Sequence, residues 1–247
     1  MAYSLSGSNG NSIVHPPVNN SKAEVADMHN WDHIRLYRAG KQASNTEMLE
    51  PHANDPGGST AAIQGWTPPC TSDGVCRVDF SSMCYFYGRN LFSALQQAGL
   101  NRPIGLIGSY WGGTADELWS SPDALHKCLD PSKPIPKPDS SLYYGMLSPF
   151  LRSTIKGAVW YQGEADSRHP GGQYDGYNCT FPQMIQDWRN KWFEFSGRRT
   201  NQSFPFGFVQ LNSIGNAAVY DHPADPHNDL SPQFGYAGLR WSQVFEC

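Results

Sequence analysis

Three short apolar runs, each breaking into polar, glycine-bearing sequence, constrain this chain more than any other feature. They are Pro103-Ile-Gly-Leu-Ile-Gly108, Lys156-Gly-Ala-Val-Trp-Tyr-Gln-Gly163 and Pro205-Phe-Gly-Phe-Val-Gln-Leu-Asn212. A brief apolar run closed by turn residues is how a strand of a parallel sheet reads when both its faces are covered. His33-Ile-Arg-Leu-Tyr-Arg38 alternates apolar with polar and also suits a strand. Between these runs the spacing turns helical. Asp79 stands as an N-cap, Phe80, Met83/Cys84, Tyr87, Leu91 and Leu95 come after it at helical spacing, and Gly99 closes the element. A second helix places Phe181, Met184/Ile185, Trp188 and Trp192 on one face, with Pro182 in its first turn and Asp187 four residues before Lys191. Gly238–Phe245 reads as a closing helix. Strand, helix and strand in alternation predict an α/β protein with a mostly parallel sheet. The length of 247 residues fits one domain, with loop-rich stretches at 1–30 and 41–78 and the core blocks in 79–247.

Charge and cysteine content narrow the function classes. With 18 basic and 22 acidic side chains, net charge −4, the chain has no electrostatic case for nucleic acid. Uncharged runs such as Pro103–Ala115 fall far short of the roughly 20 residues a membrane helix needs. The first basic residue is Lys22, so no positively charged leader region precedes it. Six cysteines (Cys70, Cys76, Cys84, Cys128, Cys179 and Cys247) leave about 15 pairings open, although Cys70 and Cys76 are close enough to staple a small loop. Three Asn-x-Ser/Thr sequons begin at Asn19, Asn178 and Asn201. An even cysteine count with three sequons leads us to expect a secreted or lysosomal setting. No zinc-type spacing and no cofactor motif is present, so no cofactor is expected.

Ligands of parallel sheets gather beyond the carboxyl ends of the strands. There this chain carries Gly108-Ser-Tyr-Trp-Gly-Gly-Thr114, Gln162-Gly-Glu-Ala-Asp166 and Gln210-Leu-Asn212. Gly112 and Gly113 let backbone N–H groups approach a ligand, which suits an anion or oxyanion cradle, though a plain strand-to-helix turn would read the same way. Ser109 lacks the Gly-x-Ser-x-Gly turn of an exposed nucleophile and is read as structural. Glu164 and Asp166, two residues apart, would share a side if extended, as paired acids of a glycosidase or a metal site do. Nothing in the sequence supplies the remaining ligands. His222 and His227 lie in the Pro-rich Asp221–Asp229 segment, which reads as a solvated loop rather than a metal centre.

The string Ile104-Gly-Leu-Ile-Gly-Ser-Tyr-Trp-Gly-Gly-Thr114, with Glu117-Leu-Trp119 after it, resembles the second block of the sialate O-acetylesterase family. Val159-Trp-Tyr-Gln-Gly-Glu-Ala165, Tyr177-Asn-Cys-Thr-Phe-Pro182 with Asp187-Trp-Arg189, Pro205–Leu211 and Leu239-Arg-Trp241 continue in the family's order. The resemblance spans most of residues 80–245. It implies the SGNH-hydrolase architecture, a three-layer α/β/α sandwich related to flavodoxin-like sheets. It also implies a serine attacking an O-acetyl ester of a sugar, with a histidine base and an oxyanion held by backbone N–H groups and an amide. Carried onto this sequence, Gly112 and Gly113 resemble the oxyanion turn, Gln162 the amide donor, and Glu164 the acid that orients the histidine.

Two departures qualify the match. The superfamily's Gly-x-Asn-Asp pattern has alanine at its third position in Gly163-Glu-Ala-Asp166, which moves the amide role to Gln162. The family's Gly-Gln-Ser-Asn-Met nucleophile string and its Asp-x-x-His block are absent from these residues, while Met1-Ala-Tyr-Ser resembles the stretch just after that serine. The expectation is therefore a partial domain, incomplete at both ends and inactive as it stands, whose partner is an O-acetylated sugar. A xylan acetylesterase or a non-catalytic carbohydrate-binding descendant would share much of this sequence. Oligomeric state is not legible.

Overall fold

The computed structural model describes residues 5, 8–9, 12–13, 17–52, 65–128, 138–166, 176–211, 239–240 and 243. The chain divides into two compact units, one of Met1–Gln42 with Pro51–Gly112 and one of Ala43–Glu50 with Gly113–Cys247.

The first unit begins with an antiparallel pair of two-residue strands, β1 (Ser8–Asn9) and β2 (Ser12–Ile13). A short helix α1 (Ser21–Asp27) and a 3-10 turn (Met28–Asn30) come next, within the stretch whose composition reads as loop. Strand β3 (Ile34–Arg38) then runs parallel to β4 (Ile104–Gly108), with Ile34 opposite Ile104 and Arg38 opposite Gly108. Helix α2 (Ser82–Gln97) connects them, so this unit is a βαβ motif.

Two details of α2 differ from the sequence reading. Its cap is Ser81, whose hydroxyl accepts the Cys84 N–H at 3.4 Å, because the Asp79 carboxylate is already taken by Arg38 Nη1 at 2.6 Å. Its buried face is Ser82, Tyr85, Gly88 and Phe92, while Tyr87 and Leu91 are 50% and 37% exposed. Gly88 sets that phase: a Cβ there would stand 2.6 Å from Leu106 Cδ1, so the helix lies against β4 through a residue without a side chain. Leu5, Met28, Ile34, Leu36, Phe80, Tyr85 and Leu106 form the apolar core beneath. The Cys70–Cys76 staple is formed.

The second unit holds the other two apolar runs. Strand β5 (Ala158–Trp160) is parallel to β6 (Phe206–Phe208), with Ala158 opposite Phe206 and Trp160 opposite Phe208. A four-residue helix α3 (Pro122–Leu125), capped by Ser121, precedes a disulfide from Cys128 to Cys179. That bridge anchors the start of α4 (Tyr177–Phe195), the helix between β5 and β6. Helix α4 is longer than its sequence signal, so that Pro182 is its sixth residue and not part of its first turn. Its buried face is as expected: Phe181, Met184, Ile185, Trp188 and Trp192. Trp188 packs edge-on against Trp160 at 5.4 Å between ring centroids, and Trp160 against Trp119 at 6.0 Å. Of the expected closing helix, Leu239, Arg240 and Gln243 are helical and the rest lies outside the described residues. Both units are α/β with parallel strand pairs, as the sequence pattern predicts. Among the described residues no helix is long and apolar enough to cross a membrane.

Candidate functional site

The loop that leaves β4 carries Ser109, Tyr110 and Trp111, all half-buried, and then the exposed pair Gly112 and Gly113. Gly113 takes φ +77°, the left-handed region that costs glycine nothing. Among the described residues no acceptor takes the N–H of Gly112 or Gly113. In the second unit, the residue after Gly113 is tied to the end of β5. Gln162 Nε2 donates to the Thr114 carbonyl at 3.1 Å and also to Asp166 Oδ2. Both amide hydrogens of Gln162 are thus engaged, while its buried Oε1 has no partner. Gly163, next to it, has φ +127°, and a Cβ there would lie 2.7 Å from Leu239. Gln243 Nε2 approaches the Gln162 carbonyl at 3.5 Å and the Tyr177 hydroxyl at 3.4 Å.

A carboxyl pair underlies this clamp. The backbone N–H of Asp116 donates to Asp166 Oδ1 at 3.1 Å, and Thr180 Oγ1 donates to Asp116 Oδ2 at 2.6 Å. Burial pushes the Asp116 carboxyl far above the usual carboxylate range, and the charge of Asp166 adds to that. Burial raises Asp166 as well, but hydrogen bonds from Asp116 and Gln162 favour its anion. Burial and the neighbouring carboxylates thus favour the protonated form of Asp116, whose buried Oδ1 has no hydrogen-bond partner among the described residues. Glu117 brings a third buried carboxylate, with oxygens of all three within 4.8 Å of one another. Its charge, after burial, helps lift Asp139 to about 6. A second group, His29 with Cys70 and Cys76, has its sulfurs in the disulfide, and His29 Nε2 lies 3.4 Å from Cys76 Sγ.

The sequence-derived residues distribute unevenly. The turn after β5 brings Gln162 to Thr114, the neighbour of the two glycines. Glu164 and Asp166 are not on one extended face: Glu164–Ala165 is a turn, with Glu164 half-buried and Asp166 3% exposed. Asn19, Asn178 and Asn201 are all exposed. His222 and His227 lie outside the described residues. Asp116 and Thr180 escaped the sequence reading, since partners 64 residues apart leave no local periodicity. The one available signal was an acid two residues beyond Thr114 that belongs to no amphipathic face.

Parallel strand pairs in both units, with polar, glycine-bearing turns after β4 and after β5, define an α/β protein. The chain belongs to the carbohydrate esterase family of sialic acid-specific acetylesterases, whose profile matches residues 69–225. It is 34% identical over 239 residues to the sialate O-acetylesterase of Pongo abelii, covering 91% of this chain and 40% of that protein. To the human sialate O-acetylesterase it is 40% identical over 193 residues, 72% of this chain and 32% of that one. The crystal structure of a carbohydrate acetylesterase from Xanthomonas citri superposes with a TM-score of 0.65 at 26% identity, over 98% of this chain and 44% of its own. The chain therefore spans about a third to just over two fifths of the length of these relatives.

Proposed function

We propose that this chain carries the oxyanion side of a serine esterase that removes O-acetyl groups from carbohydrates, sialic acids foremost. The observation that carries the reading is the meeting of two family blocks: Gln162, after β5, is hydrogen-bonded to Thr114, directly beyond the Gly112–Gly113 turn. In this reading the N–H groups of Gly112 and Gly113 stabilise the negative charge that develops on the carbonyl oxygen. Gln162 adds a neutral donor by exchanging its bond to the Thr114 carbonyl for one to the oxyanion, while Asp166 retains the other amide hydrogen and fixes the side chain. Glu164 orients the imidazole of the base. The nucleophile and the histidine come from family blocks that these residues do not contain, so the 247-residue chain by itself does not turn over ester.

The test is an assay on a chain completed with the nucleophile and histidine blocks, using an O-acetylated sialic acid. Gln162→Ala should lower kcat by about 10²-fold, as loss of one oxyanion donor does. Glu164→Gln should lower kcat with KM nearly unchanged. Parental rates in both variants refute the two roles.

We also place the protein in the secretory pathway or lysosome. The exposure of Asn19, Asn178 and Asn201 and the two disulfides support this. Secreted protein should lose mass on endoglycosidase treatment. Its Cys84 thiol, pushed up to about 12 by burial, should react with an alkylating reagent only after denaturation. Absence of any glycan would contradict the assignment.

A further inference from the structure

The carboxyl ends of β3 and β4 are side by side, with Arg38 opposite Gly108. The loops that leave them are fixed at their roots. Ala39 donates its N–H to the Gly108 carbonyl at 2.9 Å, and Gly40 donates to the His52 carbonyl at 3.0 Å. At the strand ends, Arg38 and Asp79 form an ion pair at 2.6 Å, with side chains only 7% and 17% exposed. The Tyr110 hydroxyl is buried too, its ionisation opposed chiefly by that burial. Three residues past each strand end this anchored base presents Lys41 and Trp111, both half-buried. Lys41 Nζ lies 5.8 Å from the centroid of the Trp111 ring. Among the described residues, no carboxylate is within ion-pair distance of Lys41.

We propose that Lys41 and Trp111 form a subsite for a sugar that bears a carboxylate. The inference rests on the esterase reading and deepens it by assigning the residues that read the sugar's carboxylate. Trp111 directly precedes Gly112 in the chain, so a sugar held there is next to the proposed oxyanion turn. Among the described residues no carboxylate satisfies the ammonium, and the indole holds it in place. A ligand carboxylate supplies the missing partner through charge-assisted hydrogen bonds, and the ring offers an apolar surface to the C–H face of a pyranose. A neutral acetylated sugar gains only the second of these contacts. The preference between acidic and neutral sugars therefore lies in Lys41.

The experiment is equilibrium binding to the 247-residue chain, monitored by tryptophan fluorescence and by ligand-detected NMR. The probes are sialic acid as its sodium salt and the methyl ester of the same sugar, which differ in the charge and one methyl group. The parent chain should bind the anion about tenfold more tightly than the ester, a preference that weakens with added salt. Lys41→Met should abolish the preference and leave ester binding unchanged. Lys41→Arg should keep it, and Trp111→Ala should weaken both ligands. Equal binding of the two probes, a preference that survives in Lys41→Met, or no binding of either overturns the proposal. Because no turnover is measured, this outcome is independent of the acetylesterase assay, whose failure would remove the esterase reading instead.

Discussion

The two units bury opposite things. The first closes an aliphatic and aromatic core around a neutralised pair, Arg38 with Asp79. The second packs Trp119, Trp160 and Trp188 edge to face and buries three carboxyl groups, Asp116, Glu117 and Asp166, whose oxygens lie within 4.8 Å of one another. The difference is one of sign as well as kind. In the first unit, hydrogen bonds from Asn30 and from the Trp31 indole, with help from Arg89, hold Asp27 below the usual carboxylate range. In the second, burial lifts Asp116, Asp166 and Asp139 above it. A depressed carboxyl stabilises its fold above the unfolded pKa of about 4 and loses that contribution as pH falls. A raised one does the reverse, since its fold holds a proton that the unfolded chain releases. Acid should loosen the first unit, and a rise of pH from about 4 upward the second.

The sharpest way to break the comparison is to make the first unit resemble the second. Arg38→Met leaves Asp79 without its cation and should cost about 3 kcal/mol in urea denaturation, the typical penalty for orphaning a largely buried charge. A cost below about 1 kcal/mol would show that water reaches the pair. In the second unit, Gly163→Ala meets both a positive φ and Leu239 side-chain atoms, for a loss of about 2 kcal/mol read as a lower melting temperature. An unshifted melting temperature would mean that the turn relaxes freely.

The smallest effect tests the carboxyl pair directly. Asp116→Asn keeps a donor toward Asp166 and an acceptor for Thr180 while removing the titrating proton. The parent's second unit should lose stability as pH rises from about 4 through 6 and beyond, with Asp139, at about 6, responsible for on the order of 1 kcal/mol after allowance for solvent screening. The variant should show a flatter curve and exceed the parent at pH 8. Urea midpoints at pH 5 and pH 8 decide it, and parallel curves for parent and variant would contradict the raised Asp116 carboxyl.

Sequence and structure agree where the information is local. The apolar runs at Ile104, Ala158 and Phe206 and the alternating run at Ile34 became parallel strands, because a strand's pattern is written in consecutive residues. The phase of α2 was not legible: Gly88 carries no hydropathy, yet its contact with Leu106 turns Tyr85 inward and Tyr87 outward. Asp79 is a good cap by type, but Arg38, 41 residues away, claims it. At the site, Gln162 and the glycine pair were visible as motifs. The buried acid of Asp116 was not, since its partners come from the β5 turn and from α4. The Cys128–Cys179 bridge, 51 residues apart, was one of many pairings until the fold chose it.

The central claim is that these residues supply the oxyanion side of an acetylesterase and not its nucleophile. The most direct measurement treats the purified 247-residue chain and its completed counterpart with a serine-directed organophosphate, and assays untreated samples of both on an acetyl ester. We predict turnover and stoichiometric labelling for the completed protein. For the chain alone we predict at most the residual catalysis of an oxyanion hole, roughly 10³-fold over water, and no label. Stoichiometric labelling of Ser109 in the 247-residue chain, with turnover, would contradict the account.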